Sequence, residues 1–462
     1  MEVSIILAAG EGTRMKSEVS KPLHTLLNKP MIDYIVEASC EAGVDKNIII
    51  AGEKNRGVLE DNFKTKDMEF RTQKVGEGIP YGTGYAVSLA MDEIKDDDIV
   101  LILTSDIPII QGDTLRGFLD FHKNNKNVAT VLTALIDDPT GYGRIIKDEE
   151  DNLIKIVEHK DCNKEELLIN EFNSGIIVIN GLELKDGISR LDTNNTQGEL
   201  YLTDVFGILR EDGKKISTYL IDDVEEVYGI NSKLQLSVAE EVLRRRINEK
   251  HMINGVILEN PSNIFIEKGV KIGKDTRISS GAKIIGNTVI GEGCVITGDT
   301  FITNSIIEDE VLIKSSYIED SHMKKGSNIG PYSHLRPKSV LGEEVHIGNF
   351  VEVKNANIGE KTKAGHLAYI GDADLGKDIN IGCGAIFVNY DGKNKFRSTI
   401  KDGGFIGSNA NIVAPVVIEE EGYVAAGSTI TKDVEKGALA IERAKQKNIE
   451  GWLEKKKKRD WE

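Results

Sequence analysis

The sequence predicts two architectures in series: a doubly wound α/β domain with a mostly parallel sheet, then a parallel β-helix of hexapeptide repeats. Three observations predict it. Short apolar runs alternate with helical spacing through the first half, a charged stretch free of Gly and Pro follows at Leu234–Lys250, and from about Ile264 an aliphatic residue recurs every six positions. A chain of 462 residues is also longer than one ordinary core supports.

In the first half Val3–Leu7, Asn47–Ala51, Ile99–Thr104 and Val128–Leu135 have the length and apolar content of buried strands, and Met31–Ala42 has helical spacing ended by Gly43. Strand, helix and strand in succession predict a largely parallel sheet, whose ligands bind beyond the carboxyl ends of the strands. Leu234–Lys250 is rich in Glu, Arg and Lys and follows Asn231-Ser232, a plausible cap, so it is expected to be a solvated connecting helix. The expected boundaries are therefore 1–228 for the α/β domain, 229–250 for the link and 251–462 for the β-helix with its basic tail, Lys455–Arg459.

The six-residue period is unbroken from Ile266 through Ile272, Ile278, Ile284, Ile290 and Ile296 to Ile302. It slips through Thr303–Ser327, resumes at Ile329, Leu335, Leu341, Ile347 and Val353, and returns at Ile406, Ile412, Ile418, Val424 and Ile430. A chain that buries one aliphatic side chain in six and turns between them is a β-solenoid. The interruption between Phe387 and Ile400 is then a loop on one face.

Composition narrows the function classes. A net charge of −17 argues against nucleic-acid or membrane-surface partners, so phosphorylated substrates would need locally placed Lys and Arg. Cys40, Cys162, Cys294 and Cys383 form no C-x-x-C pair, which implies neither zinc nor a disulfide framework and fits a reducing cytosol. No apolar run approaches the roughly 20 residues needed to span a bilayer.

After the first strand comes Leu7-Ala8-Ala9-Gly10-Glu11-Gly12-Thr13-Arg14-Met15, a loop whose small residues let backbone amides approach a phosphate. It is neither G-x-G-x-x-G, because Met15 takes the third Gly position, nor a Walker A loop, because Met15 precedes Lys16-Ser17. Asp106, just past Ile99–Thr104, is placed like a metal-binding carboxylate at a strand's carboxyl end. Lys21-Pro22-Leu23, Gly82-Thr83-Gly84, Tyr142-Gly143-Arg144, Val157-Glu158-His159-Lys160, Asn173-Ser174-Gly175 and Gly198–Asp204 follow in order. The second half carries Lys363-Ala364-Gly365-His366-Leu367-Ala368-Tyr369-Ile370-Gly371-Asp372 and Asn389-Tyr390-Asp391-Gly392.

In this order and spacing the motifs resemble, over essentially the whole chain, the bifunctional N-acetylglucosamine-1-phosphate uridylyltransferase/glucosamine-1-phosphate N-acetyltransferase family. The resemblance implies an α/β nucleotidyltransferase fold joined to a β-helix of left-handed coil. It implies acetylation of glucosamine 1-phosphate by acetyl-CoA, then transfer of UMP from UTP to N-acetylglucosamine 1-phosphate, feeding peptidoglycan and other envelope glycans. Mg²⁺ held by Asp106 and Asn231 and a cytoplasmic homotrimer with shared acetyltransferase sites are further implications.

The resemblance also distributes the substrates. Leu7, Ala8, Ala9 and Gly10 lie along the nucleotide, Arg14 and Lys21 hold the triphosphate, Gln73 reads uracil, and Gly82 and Thr83 sit near base or ribose. Gly143, Glu158 and Asn173 line the sugar pocket. In the second half Arg336, Lys354 and Lys395 grip the sugar phosphate, with Tyr369 and Asn380 completing that site. Cys383, Asn389, Tyr390, Ser408, Ala426 and Arg443 bind acetyl-CoA. His366 is the general base, since acetyl transfer to an amine needs a group near neutral pKa to take the proton. Glu352 is a candidate to orient it. The sequence departs from the family at Thr104, where an aromatic is common, at Ser105, where Gly is usual, and at Cys383, where Ala is usual. Two rival readings are a β-helix that only regulates or oligomerises, and a binding scaffold with decayed sites; His366, Asp106 and Lys21 stand against them.

Overall fold

The computed structural model describes residues 1–10, 12–64 and 68–459, with 458 and 459 by backbone alone. Glu11 of the expected phosphate loop lies outside the described residues. The chain divides into two compact units, Met1–Leu243 and Arg244–Glu462.

The first unit is built on β1 (Glu2–Ala8), β2 (Lys46–Gly52), β3 (Glu69–Gln73), β4 (Ile99–Thr104), β5 (Ala129–Leu135), β6 (Arg144–Lys147), β7 (Leu153–Val157), β8 (Glu171–Asn180) and β9 (Ile216–Leu220). They form one sheet in the order β9-β5-β8-β4-β1-β2-β3, with β6 pairing to β8 and β7. β1 runs parallel to both β2 and β4, while β8 is antiparallel to β4 and β5. Helices cover both faces, which explains why β1 is apolar almost throughout. Ile6 and Ala8 pack with Ile32, Ile35, Leu115 and Phe118 on one side. Val3 and Ile5 pack with Val87, Leu184 and Phe206 on the other. Chain order reverses at β1, so the carboxyl ends of β1 and β4, in register at Leu7 and Thr104, mark the switch point where ligands bind.

The helix Lys233–Ile253 crosses the division between the units. Near its end the Asn248 amide donates to the carbonyls of Pro261 and Ile264 at 2.8 and 3.0 Å, closing the first coil of the second unit. That unit is a left-handed parallel β-helix with three faces. Inward residues stack coil on coil, for example Ile278 on Ile296, Ile284 on Ile302 and Ile272 on Ile290. They form one continuous apolar core from Val256 to Val434.

The slip in the six-residue period has a local cause. Ile284 pairs with Ile302, but Ile302 pairs with Ile318, so the coil loses two residues while the strands stay stacked. The shortened turns are closed by serines: Ser305, Ser316 and Ser321 donate to the carbonyls of Thr303, Lys314 and Glu319 at 2.6–2.7 Å. Further along, the strands His346–Lys354 and Lys363–Gly371 run without a break from one face to the next. The insertion after Phe387 folds back on itself through a bridge between Tyr390 and Lys395 and rejoins the core at Ser398–Ile400. The basic run Lys455–Arg459 lies in a helix, Trp452–Arg459. Among the described residues no helix is long and apolar enough to cross a membrane.

Candidate active sites

At the switch point of the first unit, residues far apart in sequence converge. Gly12 adopts a left-handed backbone, φ +61°, and a Cβ there would stand 2.6 Å from the Cβ of Lys21. The absence of a side chain at Gly12 therefore lets Lys21 lie beneath the loop. Its Nζ donates to Asp106 Oδ2 at 2.6 Å and to Asn231 Oδ1 at 2.8 Å. Arg14 Nη2 reaches the same Asn231 oxygen at 2.7 Å. The backbone holds this group in place, since the Ile230 amide donates to the Asp106 carbonyl at 2.8 Å. Asn231 is not spent as the helix cap. Ser232 Oγ accepts from the Gln235 amide at 3.2 Å and Gln235 Oε1 accepts from the Asn231 amide at 2.8 Å, a variant of the capping box that engages only the Asn231 backbone and leaves its side chain to face Lys21.

The rest of the expected nucleotide and sugar residues ring the same strand ends. Gln73 ends β3 and is buried. Gly82 has φ +116°, and a Cβ there would meet the Leu200 carbonyl oxygen at 2.4 Å, so only Gly permits this approach. The contact is welded by the Gly84 amide donating to Leu200 O at 2.8 Å and the Leu202 amide donating to Thr83 Oγ1 at 3.1 Å. Gly143 O accepts from the Asn173 amide at 2.9 Å, bringing those two sugar-pocket candidates side by side. Glu158 Oε1 accepts from Thr203 Oγ1 at 3.1 Å, and burial pushes its carboxyl above the usual range. Ser105 is buried and its amide donates to Leu7 O at 3.0 Å, so the departure from Gly is accommodated inside the strand end.

In the β-helix, His366 and Asn349 are register partners on the two long strands, at the bend between faces. Asn349 Oδ1 lies 2.9 Å from His366 Nδ1. With an oxygen facing it, Nδ1 carries the proton and Nε2 is left as the acceptor on an exposed ring. Glu352, expected to orient His366, instead accepts from Arg336 Nη1 at 2.8 Å. The bend supplies the reason: Asn349 stacks directly beneath His366, whereas Glu352 stacks beneath Tyr369 on the next face.

Arg336 and Glu352 adjoin Tyr369, whose hydroxyl accepts from Asn389 Nδ2 at 3.4 Å. A Cβ on Gly371 would meet that hydroxyl at 2.4 Å, so Gly371 makes room for the ring. Lys354 Nζ is 3.7 Å from Asp372 Oδ2. Lys395 lies against Lys354, whose contact and charge pull its ammonium below the usual lysine range. Asn380 does not join them within one chain. It stands between Lys363 and Phe405 on the neighbouring face.

The expected acetyl-CoA residues fall into a column beside His366. Cys383 O accepts from the Asn409 amide, and Ser408 O accepts from the Gly427 amide, each at 2.8 Å. Arg443 Nη1 donates to the Ala426 carbonyl at 2.8 Å, extending the column by one more coil. Cys383 is exposed, as is Tyr390. Asn389 is instead buried, with its amide turned to Tyr369 and Asp372.

The profile described as "Nucleotidyl transferase" matches residues 3–224, and one described as "GMPPB C-terminal domain" matches residues 263–362. A bifunctional protein GlmU of Clostridioides difficile (strain 630) is 50% identical over 457 residues, 99% of this chain and 98% of its own. The chain belongs to the GlmU family. Another member, from Streptococcus thermophilus (strain ATCC BAA-491 / LMD-9), is 44% identical over 98% of this chain and 97% of its own. A solved structure from Bacillus anthracis titled a putative glucose-1-phosphate thymidylyltransferase is 21% identical and covers 53% of this chain and 96% of that one, with a TM-score of 0.44. As a GlmU-family enzyme the chain is a bifunctional uridylyltransferase and acetyltransferase of UDP-N-acetylglucosamine synthesis.

Several residues that shape both sites were given no role of their own by the sequence. Asn55 is buried, donates to Ala8 O and Ser20 Oγ at 2.9 and 2.8 Å, and so ties the glycine loop to the segment bearing Lys21. Arg144 donates to the carbonyls of Pro139 and Tyr142 beneath Gly143. Asn349 and Asp372 play the same part in the β-helix. Asn349 had only a positional signal, standing one coil before His366, and Asp372 only its place at the end of a quoted motif.

Proposed function

We propose that residues 1–228 carry the uridylyl transfer and residues 251–462 the acetyl transfer, with 229–250 as the link. The observation that carries this reading is the convergence of Lys21 and Arg14 on Asp106 and Asn231 at a strand end. It is supported by a separate His–Asn pair on the β-helix.

In the first reaction a phosphate oxygen of N-acetylglucosamine 1-phosphate attacks the α-phosphorus of UTP, the bond to the β-phosphate breaks, and pyrophosphate leaves. Arg14 and Lys21 neutralise the phosphates and align them for in-line attack, which is most of what such a transfer requires. Gly143, Glu158 and Asn173 hold the sugar, while Gln73, Gly82 and Thr83 hold uracil and ribose. Asp106 and Asn231 fit a Mg²⁺ ion, because their oxygens already converge on one cation, the Lys21 ammonium, at 2.6 and 2.8 Å. One carboxylate and one amide oxygen are hard donors of the kind that would hold Mg²⁺. Bound there, Mg²⁺ supplies further charge neutralisation at the α-phosphate.

In the second reaction the neutral amine of glucosamine 1-phosphate attacks the thioester carbonyl of acetyl-CoA. His366 Nε2 takes the amine proton, the C–S bond breaks, and the thiolate leaves with a proton available from the imidazolium. Asn349 holds the Nδ1–H tautomer that leaves Nε2 basic. Arg336, Lys354 and Lys395 take the phosphate, Tyr369 and Asn380 the sugar. The column from Cys383 to Arg443, with Asn389 and Tyr390, takes the coenzyme.

The enzyme is proposed to work as a cytoplasmic homotrimer. Asn380 stands on a different face from Tyr369 and Lys354, so a second copy is what would bring it to them. The bend also exposes Tyr332, Phe350 and Leu367, the first two ring-stacked at 5.7 Å, an apolar file suited to a subunit contact. The test is to assay both half-reactions on purified protein, with UTP against dTTP and with or without acetyl-CoA, while measuring mass by sedimentation. Failure to acetylate glucosamine 1-phosphate overturns the reading, and a monomer with full acetyltransferase activity overturns the trimer.

A further inference from the structure

We propose that Asp372 is a positioning residue for the phosphate grip: its buried carboxylate gathers Lys354 and, through Asn389, the insertion that carries Lys395, so that two mutually repelling lysines stand together for one sugar phosphate. The inference rests on the assignment of Arg336, Lys354 and Lys395 made above.

Asp372 is 7% exposed and follows the long strand Lys363–Gly371 in a left-handed backbone, φ +49°. Its amide donates to Lys354 O at 2.9 Å, and its carbonyl accepts from the Ser398 amide at 3.1 Å, at the foot of the insertion. The residue thus touches the backbones of both lysine-bearing segments. Oδ1 accepts from Asn355 Nδ2 at 2.5 Å. Oδ2 accepts from Asn389 Nδ2 and lies 3.7 Å from Lys354 Nζ.

Its charge is the informative part. Burial pushes the carboxyl up, yet the Asn355 amide, the Lys354 charge, the Asn389 amide and the Lys395 charge outweigh it and hold it below the usual carboxylate range. Burying a carboxylate is costly where neutral amides are the chief contacts, because an amide side chain meets them nearly as well. The guanidinium of Arg397 feels the Asp372 charge too, but it spends its hydrogen bonds from Nε and Nη2 on Asp374. The charges that hold it ionised most directly are those of the lysine pair. Without it, Lys354 and Lys395 would lose the carboxylate that both of them face before substrate arrives, and their repulsion would spread the insertion away from the wall.

The test uses the full chain carrying Asp372→Asn or Asp372→Glu, with Lys354→Ala as reference, each checked for a cooperative melt. Asp372→Asn should raise KM for glucosamine 1-phosphate about tenfold and KM for acetyl-CoA by less, because Asn389 and Tyr390 ride on the same insertion, with kcat within about twofold. Asp372→Glu should recover most of that loss. An unchanged sugar-phosphate KM in folded Asp372→Asn overturns the proposal. So does equal damage to kcat and both KM values, or failure of both variants to fold, since Asp372 would then hold the coil rather than the grip. If Lys354→Ala leaves the sugar-phosphate KM unchanged, the grip assignment itself fails. An effect of Lys354→Ala without one of Asp372→Asn sinks this inference alone.

Discussion

In the α/β unit, Arg14, Lys21, Asp106 and Asn231 come from three separate stretches of sequence and still touch through contacts of 2.6–2.8 Å. In the β-helix the expected grip, base and coenzyme residues lie along straight ladders, and Asn380 stands on a face apart from Tyr369. The difference is one of topology. A doubly wound sheet delivers the carboxyl ends of its parallel strands to one rim, so one chain assembles a whole site. A solenoid delivers neighbours only one coil away, so residues on two faces meet only across a bend or across copies.

The comparison breaks most sharply at the metal-binding candidate. Asp106→Asn should lower uridylyl transfer by about 10³-fold or more while leaving acetyl transfer unchanged in separate half-reaction assays. Loss of both activities would mean that the sites are not independent. His366→Ala should do the converse, lowering acetyl transfer by about 10²–10⁴-fold. Asn349→Ala should lower its kcat about tenfold by freeing the tautomer, whereas an Asn349→Ala enzyme with full kcat would return the orienting role to another group.

A smaller effect sharpens the coenzyme column. Alkylation of exposed Cys383 should inhibit acetyl transfer, acetyl-CoA should protect against it, and Cys383→Ala should be resistant. Modified yet fully active protein would remove Cys383 from the coenzyme wall.

The smallest effect concerns stability near the sugar pocket. Burial, then Asp192 and Asp161, push the Asp204 carboxyl up to about 6. The folded state holds that proton more tightly than the unfolded chain, so stability is lost as pH rises through about 6. Asp204→Asn should therefore raise stability by about 2 kcal/mol at pH 7.5, with the gain shrinking towards pH 4 in thermal melts.

Most of the architecture was legible because its periods are strong. The inward file from Ile266 to Ile302 stacks as its spacing implied, and β1 and β4 lie where their apolar runs place them. The slip after Thr303 was visible as a slip, but its cause was not, since a Ser that closes a shortened turn has no period. The candidate site residues with unusual chemistry, Asp106 and His366, announced themselves by motif. The side chains that aim them did not. Asn349 is one amide among many, and its meaning depends on a bend that places it rather than Glu352 under His366. Ser232 and Gln235 decide that Asn231 faces Lys21, a division of labour that a cap signal alone leaves open.

The stacked register of the β-helix has a consequence for how such a chain tolerates change. Because Asn349, His366 and the column from Cys383 to Arg443 are aligned by coil and not by distance along the chain, the natural unit of insertion or deletion is one full turn of the solenoid. A duplicated coil ahead of His334 would lengthen the solenoid and leave every ladder beyond it in phase, while a gain of six residues there would rotate the proposed base, grip and coenzyme column by one face together.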